Sequence, residues 1–137
     1  PWRVGVETPH RDPTGQKRSV QRGVALGGGT EFLALATSGN YRNFYELEGE
    51  TVVHTIDPRT GRPVRVQADQ PSLASATVLA ADCATADALA TAVMALGAED
   101  GRALLERRGV AALLILRTGD RLDEVPTPRF EQVFGER

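Results

Sequence analysis

The sequence has very few of the residues that build covalent cross-links or cysteine-based metal sites. Cys83 is the single cysteine among 137 residues. An internal disulfide and a zinc cluster held by several cysteines are therefore excluded. The chain also contains only two histidines, so any imidazole chemistry must come from His10 or His54.

Neither sign of charge is in large excess, and long apolar runs are absent. The 16 basic residues, all arginine except Lys17, nearly balance 18 acidic residues. No basic field is therefore available to bind nucleic acid, and no polybasic segment to hold a membrane surface. No apolar run reaches the roughly 20 residues of a membrane-spanning helix, and we recognise no signal peptide.

The chain begins with Pro1 on a predicted strand rather than with methionine. We expect it to be a segment from within a longer protein, and removal of an initiator methionine before Pro1 is the alternative. An export signal or lipid anchor would then precede Pro1, so the sequence does not indicate a compartment.

The order of the predicted elements indicates the fold class. Short apolar or alternating segments predict strands over Trp2–Thr8, Ser19–Leu26, Glu31–Thr37, Thr51–Ile56, Leu73–Leu79, Val110–Leu116 and Leu122–Val125. Strong helix formers predict helices over Ala84–Leu96 and Ala98–Arg108, and Phe130 and Phe134 follow at helical spacing. This order favours a single α+β domain, with a mixed, largely antiparallel sheet packed against two or three helices.

The first predicted helix, Ala84–Leu96, carries the first candidate site. Alanine and aliphatic residues on nearly every side predict a largely buried helix, with Asp87 as its interior charge. Thr91 lies four positions later on the same face, so the pair offers the hard oxygen ligands that Mg²⁺ prefers. The simpler interpretation is that Asp87 lies in the first turn, where the helix dipole stabilises a negative charge, and that the Thr91 hydroxyl bonds a backbone carbonyl one turn back.

The stretch VVHTIDPRTGRPV, residues 52–64, contains the second candidate site. It places His54 at the expected end of a strand, and histidine can accept a proton near neutral pH. The alternative is a partly buried histidine bonded to the backbone. The segment 57–61 has the composition of a turn, in which Arg59 would also suit a phosphate contact. We interpret His10, in a polar loop, as solvated surface.

Two further segments contain small residues. Residues 36–41, ATSGNY, predict a bend that allows close approach of a ligand, or a plain turn between strands. The run Gly27–Gly29 lacks the GxGxxG spacing of a dinucleotide-binding loop and is interpreted as a linker.

Three motifs resemble, in their order along the chain, the C-terminal half of the ApbE family. They are ATSGNYRNFY, HTIDPRTGRPV and ADALATAVMALG. The members of this family are the FAD:protein FMN transferases. The opening PWRVGVETP and the closing PTPRFEQVF are also similar to family segments, so the resemblance covers nearly the whole chain. It implies a Mg²⁺-dependent reaction that splits FAD, joins FMN to a threonine or serine of a target protein, and releases AMP.

The resemblance also implies roles for individual residues. His54 matches the histidine of the family's H-x-I-D-P signature and would be the general base. Asp87 and Thr91 match the family's side-chain metal ligands. The remaining matches are with cofactor-binding positions: Ile56 and Asp57 along the flavin, and Thr37, Ser38 and Tyr41 near the nucleotide.

The chain departs from the family mainly in length. The family's N-terminal half, which supplies much of the FAD pocket and a further metal contact, has no counterpart here. We therefore expect the isolated chain to hold part of a site and to have little or no transferase activity. Two alternatives stay open: an FAD pyrophosphatase that yields FMN and AMP, and a non-catalytic nucleotide-binding or structural fragment that self-associates through unpaired strand edges.

Overall fold

The computed structural model describes residues 1–12, 14, 16–42, 44–47, 50–66 and 70–135. These residues form nine strands and three helices: β1 (Trp2–Glu7), β2 (Val20–Leu26), β3 (Ala34–Gly39), β4 (Phe44–Leu47), β5 (Glu50–Asp57), β6 (Arg62–Val66), β7 (Ser72–Ala80), α1 (Cys83–Leu96), α2 (Ala98–Arg107), β8 (Ala111–Thr118), β9 (Arg121–Pro126) and α3 (Pro128–Phe134).

All described strand pairs are antiparallel. They form a central sheet in the order β3-β7-β8-β9, a three-stranded sheet β4-β5-β6, and the hairpin β1-β2. The predicted α+β class with antiparallel strands and three helices is therefore confirmed, although the strands divide among three sheets. None of the described helices has the length and apolar character needed to cross a membrane.

The central sheet is covered on both faces, so the molecule has three layers. On one face, side chains of β7 and β8 pack against α1 and α2, in a cluster that includes Ala76, Val78, Val93 and Leu105. On the other face, Leu79 and Leu113 pack against the β1-β2 hairpin and Phe130 of α3. Burial on both sides explains why β7 is buried without interruption from Leu73 to Leu79, and this buried run includes the hydroxyl residues Ser75 and Thr77.

Helix α1 is less buried than its sequence predicts. Only the stripe Ala86, Ala90, Val93 and Met94 is buried, because that stripe alone faces the central sheet. Alanine is compatible with either environment, so a run of alanines does not identify the buried side. The first turn contains no acidic residue, because the helix begins at Cys83 and Asp87 lies in its second turn. The first-turn interpretation of Asp87 is therefore wrong.

Two segments near the site differ from the prediction. Strand β3 continues through Ser38 and Gly39, where a turn was expected, because these residues pair with Ala76 and Ser75 of β7. Strand β6 was not predicted, since it is short and contains Pro63. The sequence of residues 68–72 predicts a loop and that of residues 47–50 a hairpin turn. Both segments lie partly outside the described residues, although Ser72 already belongs to β7.

Thr127 joins α3 to the central sheet through a buried hydroxyl. Its Oγ donates to Val110 O at 2.8 Å and accepts from Ala112 N at 2.9 Å. The side chain is fully buried, so removal of the hydroxyl leaves a peptide N–H and a carbonyl without this partner.

We predict that Thr127→Val lowers the free energy of unfolding by about 1–3 kcal/mol, because it removes these two bonds and the N-cap bond from Phe130 N at nearly constant volume. Thr127→Ser keeps the hydroxyl and should cost less. Urea denaturation of the three proteins measures the difference. A valine variant as stable as the serine variant would contradict this role.

Candidate active site

His54 lies on a bulge within β5 rather than at the end of the strand. The pairing shifts between Val52↔Arg65 and Ile56↔Pro63, so residues 53–55 of β5 lie opposite Val64 alone. Such a bulge interrupts the alternation of side chains along a strand. As a result Val52 and Val53 are both buried, whereas His54 is exposed. The irregular pairing therefore coincides with the position at which His54 becomes exposed beside two consecutive buried valines.

The imidazole of His54 faces a cleft between three elements. The cleft has a volume of about 260 Å³ and is lined by Thr37, Ser38 and Gly39 of β3, His54 and Thr55 of β5, and Thr91 and Met94 of α1. Segments far apart in the sequence therefore converge on one polar depression. Thr55 and Met94 were not expected there, although Met94 follows Thr91 by three residues and so shares its helix face.

Hydroxyl groups bridge the elements on either side of the cleft. Ser38 Oγ lies 3.4 Å from Thr91 Oγ1, which connects β3 with α1. Thr37 Oγ1 lies 2.8 Å from Thr77 Oγ1 on β7, which anchors the β3 edge to the buried strand. The cleft wall is thus held by hydrogen bonds as well as by apolar packing.

Asp87 and Thr91 are both exposed, one helical turn apart on α1. Thr91 lines the cleft, and Asp87 precedes it on the same face of the helix. A carboxylate and a hydroxyl suit Mg²⁺ chemically, and a six-coordinate ion would take its other oxygens from water and phosphate. The described part of the chain has no group of three or more His, Cys, Asp or Glu suited to a metal ion. The residues therefore fit part of a magnesium site.

Asp57 and Ile56 lie at the end of β5 and do not line the cleft. The Asp57 carboxylate accepts from Arg59 N at 2.9 Å and from Arg59 Nε at 3.0 Å, and these bonds lower the pKa of Asp57. The Arg59 guanidinium also reaches Asp100 of α2 at 3.5 Å. Arg59 is thus engaged by two carboxylates, and the turn is tied to α2. Ile56 is 50% exposed and offers an apolar surface.

Tyr41 lies away from the cleft. Its ring packs so closely on Gly39 that a Cβ there would be 2.5 Å from Tyr41 Cε1. Its hydroxyl donates to Glu7 of β1 at 3.4 Å, and burial raises the pKa of Tyr41. Gly39 therefore has two roles: it lines the cleft, and its lack of a side chain leaves room for the Tyr41 ring.

Comparison with known proteins agrees with this architecture. The sequence profile of the ApbE family matches residues 1–114. The FAD:protein FMN transferase of Vibrio cholerae is 40% identical over 131 residues, 96% of this chain and 35% of that protein. The Escherichia coli K12 enzyme of the same name is 37% identical, over 96% of this chain and 34% of that protein.

A solved structure gives the same result in three dimensions. The apo form of the flavinyl transferase ApbE of Pseudomonas stutzeri aligns with a TM-score of 0.69 and 35% identity, over 100% of this chain and 38% of that one. The matched relatives and this solved structure are thus named as flavin transferases. The chain belongs to the ApbE family, and it spans about a third of the length of the curated relatives it matches.

The N-terminus of α1, which carries Asp87 and Thr91, is fixed by Asp82. Its carboxylate accepts from Thr85 N and from Thr85 Oγ1, each at 2.8 Å. The bond from Thr85 N is the larger cause of the lowered pKa of Asp82.

We predict that Asp82→Ala destabilises the fold at pH 7 and that this loss disappears in acid. The folded-state pKa is lowered, so the contribution is present above the ordinary aspartate pKa of about 4 and is lost as the pH falls through the folded value. Thermal unfolding between pH 2 and 7 measures this, with Asp82→Asn as a non-titrating control. If the Asp82→Ala protein is less stable than the wild type by the same amount at every pH, the ionised Asp82 carboxylate does not stabilise the helix N-terminus.

Proposed function

We propose that this chain forms part of the active site of an FAD:protein FMN transferase. In the proposed reaction FMN passes from FAD to a threonine or serine hydroxyl of a target protein, and AMP leaves. The observation that carries this proposal is the convergence of His54, Ser38 and Thr91 on one cleft from three separate elements. The names of the relatives support the reaction type.

His54 is the proposed general base. Its side chain is exposed and lines the cleft, where the pairing of β5 with β6 is irregular. An acceptor hydroxyl has a pKa far above neutral, so proton removal by a positioned imidazole raises its nucleophilicity. As the hydroxyl oxygen bonds to the phosphorus of the FMN portion, its proton passes to His54 and the bond to AMP breaks.

The hydroxyl groups of the cleft are proposed to bind phosphate oxygens. Ser38 and Thr37 border the cleft and can donate to a diphosphate placed there. Asp87 and Thr91 would hold Mg²⁺, which when bound offsets the charge that develops on the phosphates. Ile56 offers its exposed side chain to the flavin portion, whereas Asp57 and Tyr41 hold the surrounding backbone in place.

We predict that the 137-residue chain alone transfers no FMN, whereas a chimera in which it replaces the matched segment of the Vibrio cholerae protein does. The reason is that the chain spans only about a third of that relative. The assay is in-gel flavin fluorescence of an acceptor protein after incubation with FAD and Mg²⁺.

His54→Gln in the chimera should lower the rate by about 10²–10⁴-fold, with His10→Gln as the matched control.

Other outcomes of that assay identify other functions. Free FMN and AMP without labelled protein would indicate an FAD pyrophosphatase. An unchanged rate in the His54→Gln chimera would contradict the general-base role.

We predict that Asp87→Asn in the chimera raises the half-saturating Mg²⁺ concentration at least about tenfold, since it removes a charged oxygen ligand. The measurement is the initial rate as a function of Mg²⁺ concentration. Asp120→Asn, an exposed change of equal charge in the β8–β9 turn, is the control. Identical Mg²⁺ curves for the wild-type and Asp87→Asn chimeras would remove Asp87 from the metal site.

A further inference from the structure

The central sheet has an open edge at β3. Within the described residues β3 pairs only with β7, and β9 forms the other end of the sheet. Strand β3 contains no charged residue and no proline, whereas every other strand at a described sheet edge carries at least one charged side chain. Charges and proline at an edge oppose pairing with a further strand. Among the described edges, that of β3 is therefore the one whose sequence permits pairing with another chain.

Alternate residues of β3 direct their backbone N–H and C=O groups to this open side. Asn40 N donates to Ala74 O at 2.9 Å, which continues the register between β3 and β7. In an antiparallel pair, residues whose peptide groups face the partner strand alternate with residues whose groups face away from it. The N–H and C=O groups of Leu35, Thr37 and Gly39 therefore face away from β7.

The cleft that contains His54 lies along the same edge. Thr37 Oγ1 lies 2.8 Å from Thr77 Oγ1 on β7. Ser38 Oγ lies 3.4 Å from Thr91 Oγ1 on α1, so the next side chain of β3 points to the opposite face of the sheet. Both residues nevertheless line the cleft, which therefore opens at the edge of the strand rather than over one of its faces.

The open edge presents hydrogen-bond donors and acceptors together, because each outward residue offers one N–H and one C=O. Ionised phosphate oxygens only accept, so a diphosphate along the edge would leave the carbonyls without a donor. An extended peptide segment supplies both kinds of group and pairs with a sheet edge as an added strand. A polypeptide therefore matches the edge better than a nucleotide does.

The side chains beside the edge favour an uncharged segment. Leu33, directly before β3, is 69% exposed, and Leu35 and Ala36 within the strand are half-buried. An added strand places its own side chains next to these apolar groups, where a charge would lose hydration without gaining a partner. The expected occupant is thus an extended polypeptide segment with uncharged side chains.

We propose that the acceptor protein docks by adding an extended, uncharged segment to the open edge of β3, which places its threonine or serine beside His54. The proposal rests on the proposed function, because that reaction requires an acceptor hydroxyl in the cleft. Main-chain pairing provides the affinity, and the cleft at residues 37–39 selects the hydroxyl. Acceptor segments with little sequence in common then bind at one site.

The test uses the blocked nonapeptide QVQVTVQVQ, whose one hydroxyl is central, and analogues with a single N-methyl group at each central position in turn. Binding to the ¹⁵N-labelled 137-residue chain is followed by NMR. The peptide should shift the backbone amides of Leu35, Thr37 and Gly39. An added strand directs only alternate N–H groups to β3, so N-methylation at alternate positions should weaken binding about tenfold or more, and methylation between them by less than about twofold.

A protein-side pair complements the peptide series. Leu35→Pro removes the outward N–H of Leu35 and should abolish the shifts, since proline is tolerated where the N–H of an edge strand faces solvent. Leu35→Val keeps the N–H and should bind like the unaltered chain. In the chimera, the proline variant should raise the KM for the peptide about tenfold or more and leave the KM for FAD unchanged. Because the peptide series uses the unaltered chain, an unfolded proline variant does not affect the test.

Equal effects of N-methylation at every position, or peptide-induced shifts that bypass β3, would overturn the inference. Other occupants of the edge would overturn it as well. A dimer of the free chain that Leu35→Pro dissociates would assign the edge to a second copy. Protection of the Leu35 and Thr37 amides from hydrogen exchange in the unliganded chimera would assign it to the remainder of the longer chain.

The two arms separate this inference from the proposed reaction. FMN transfer by the chimera to the peptide, without alternation along the N-methyl series, would refute the docking mode alone. Alternation in binding, with no FMN transfer to any acceptor by the chimera, would support the docking surface and refute the proposed reaction.

Discussion

The packing of α1 on the central sheet is the constraint on which the site depends. Ala90 and Val93 lie against Ala76 and Val78 of β7 with essentially no exposure. Small side chains on both surfaces let the helix approach closely enough for Thr91 to reach Ser38 on β3. The side-chain oxygens of Asp87 and Thr91 therefore have fixed positions, because the opposite face of α1 is closely packed in the core.

The second constraint is the distortion of β5. Along a regular strand with one solvated face exposure alternates, whereas Val52 and Val53 are consecutive and both buried, with His54 exposed beside them. The irregular pairing with β6 falls at these residues, so the departure from alternation coincides with the position of β5 that lines the cleft. Register shifts also occur between Val6 and Glu7 of β1 and between Leu73 and Ser75 of β7, so irregular pairing is not confined to β5.

The sequence predicted the positions of the helices and strands more accurately than it predicted which of their residues are exposed. The two long helices and the buried strands follow from propensity and from apolar runs. The bulge was not predictable, because it depends on pairing with β6, a short strand that contains Pro63. Ser38 and Gly39 have turn-like composition, yet pairing with β7 keeps them in β3. The family resemblance grouped His54 with Thr91, which spacing alone could not do, but it also grouped Tyr41, which contacts Glu7 instead.

The central claim is that one cleft, with His54 on one wall and Thr91 on the other, receives the diphosphate of FAD. A crystal structure of the chimera with FAD and Mg²⁺ tests this claim most directly. We expect electron density for the diphosphate between His54 and the Asp87–Thr91 pair. Density for the diphosphate at any other surface of the domain, with this cleft empty, would contradict it.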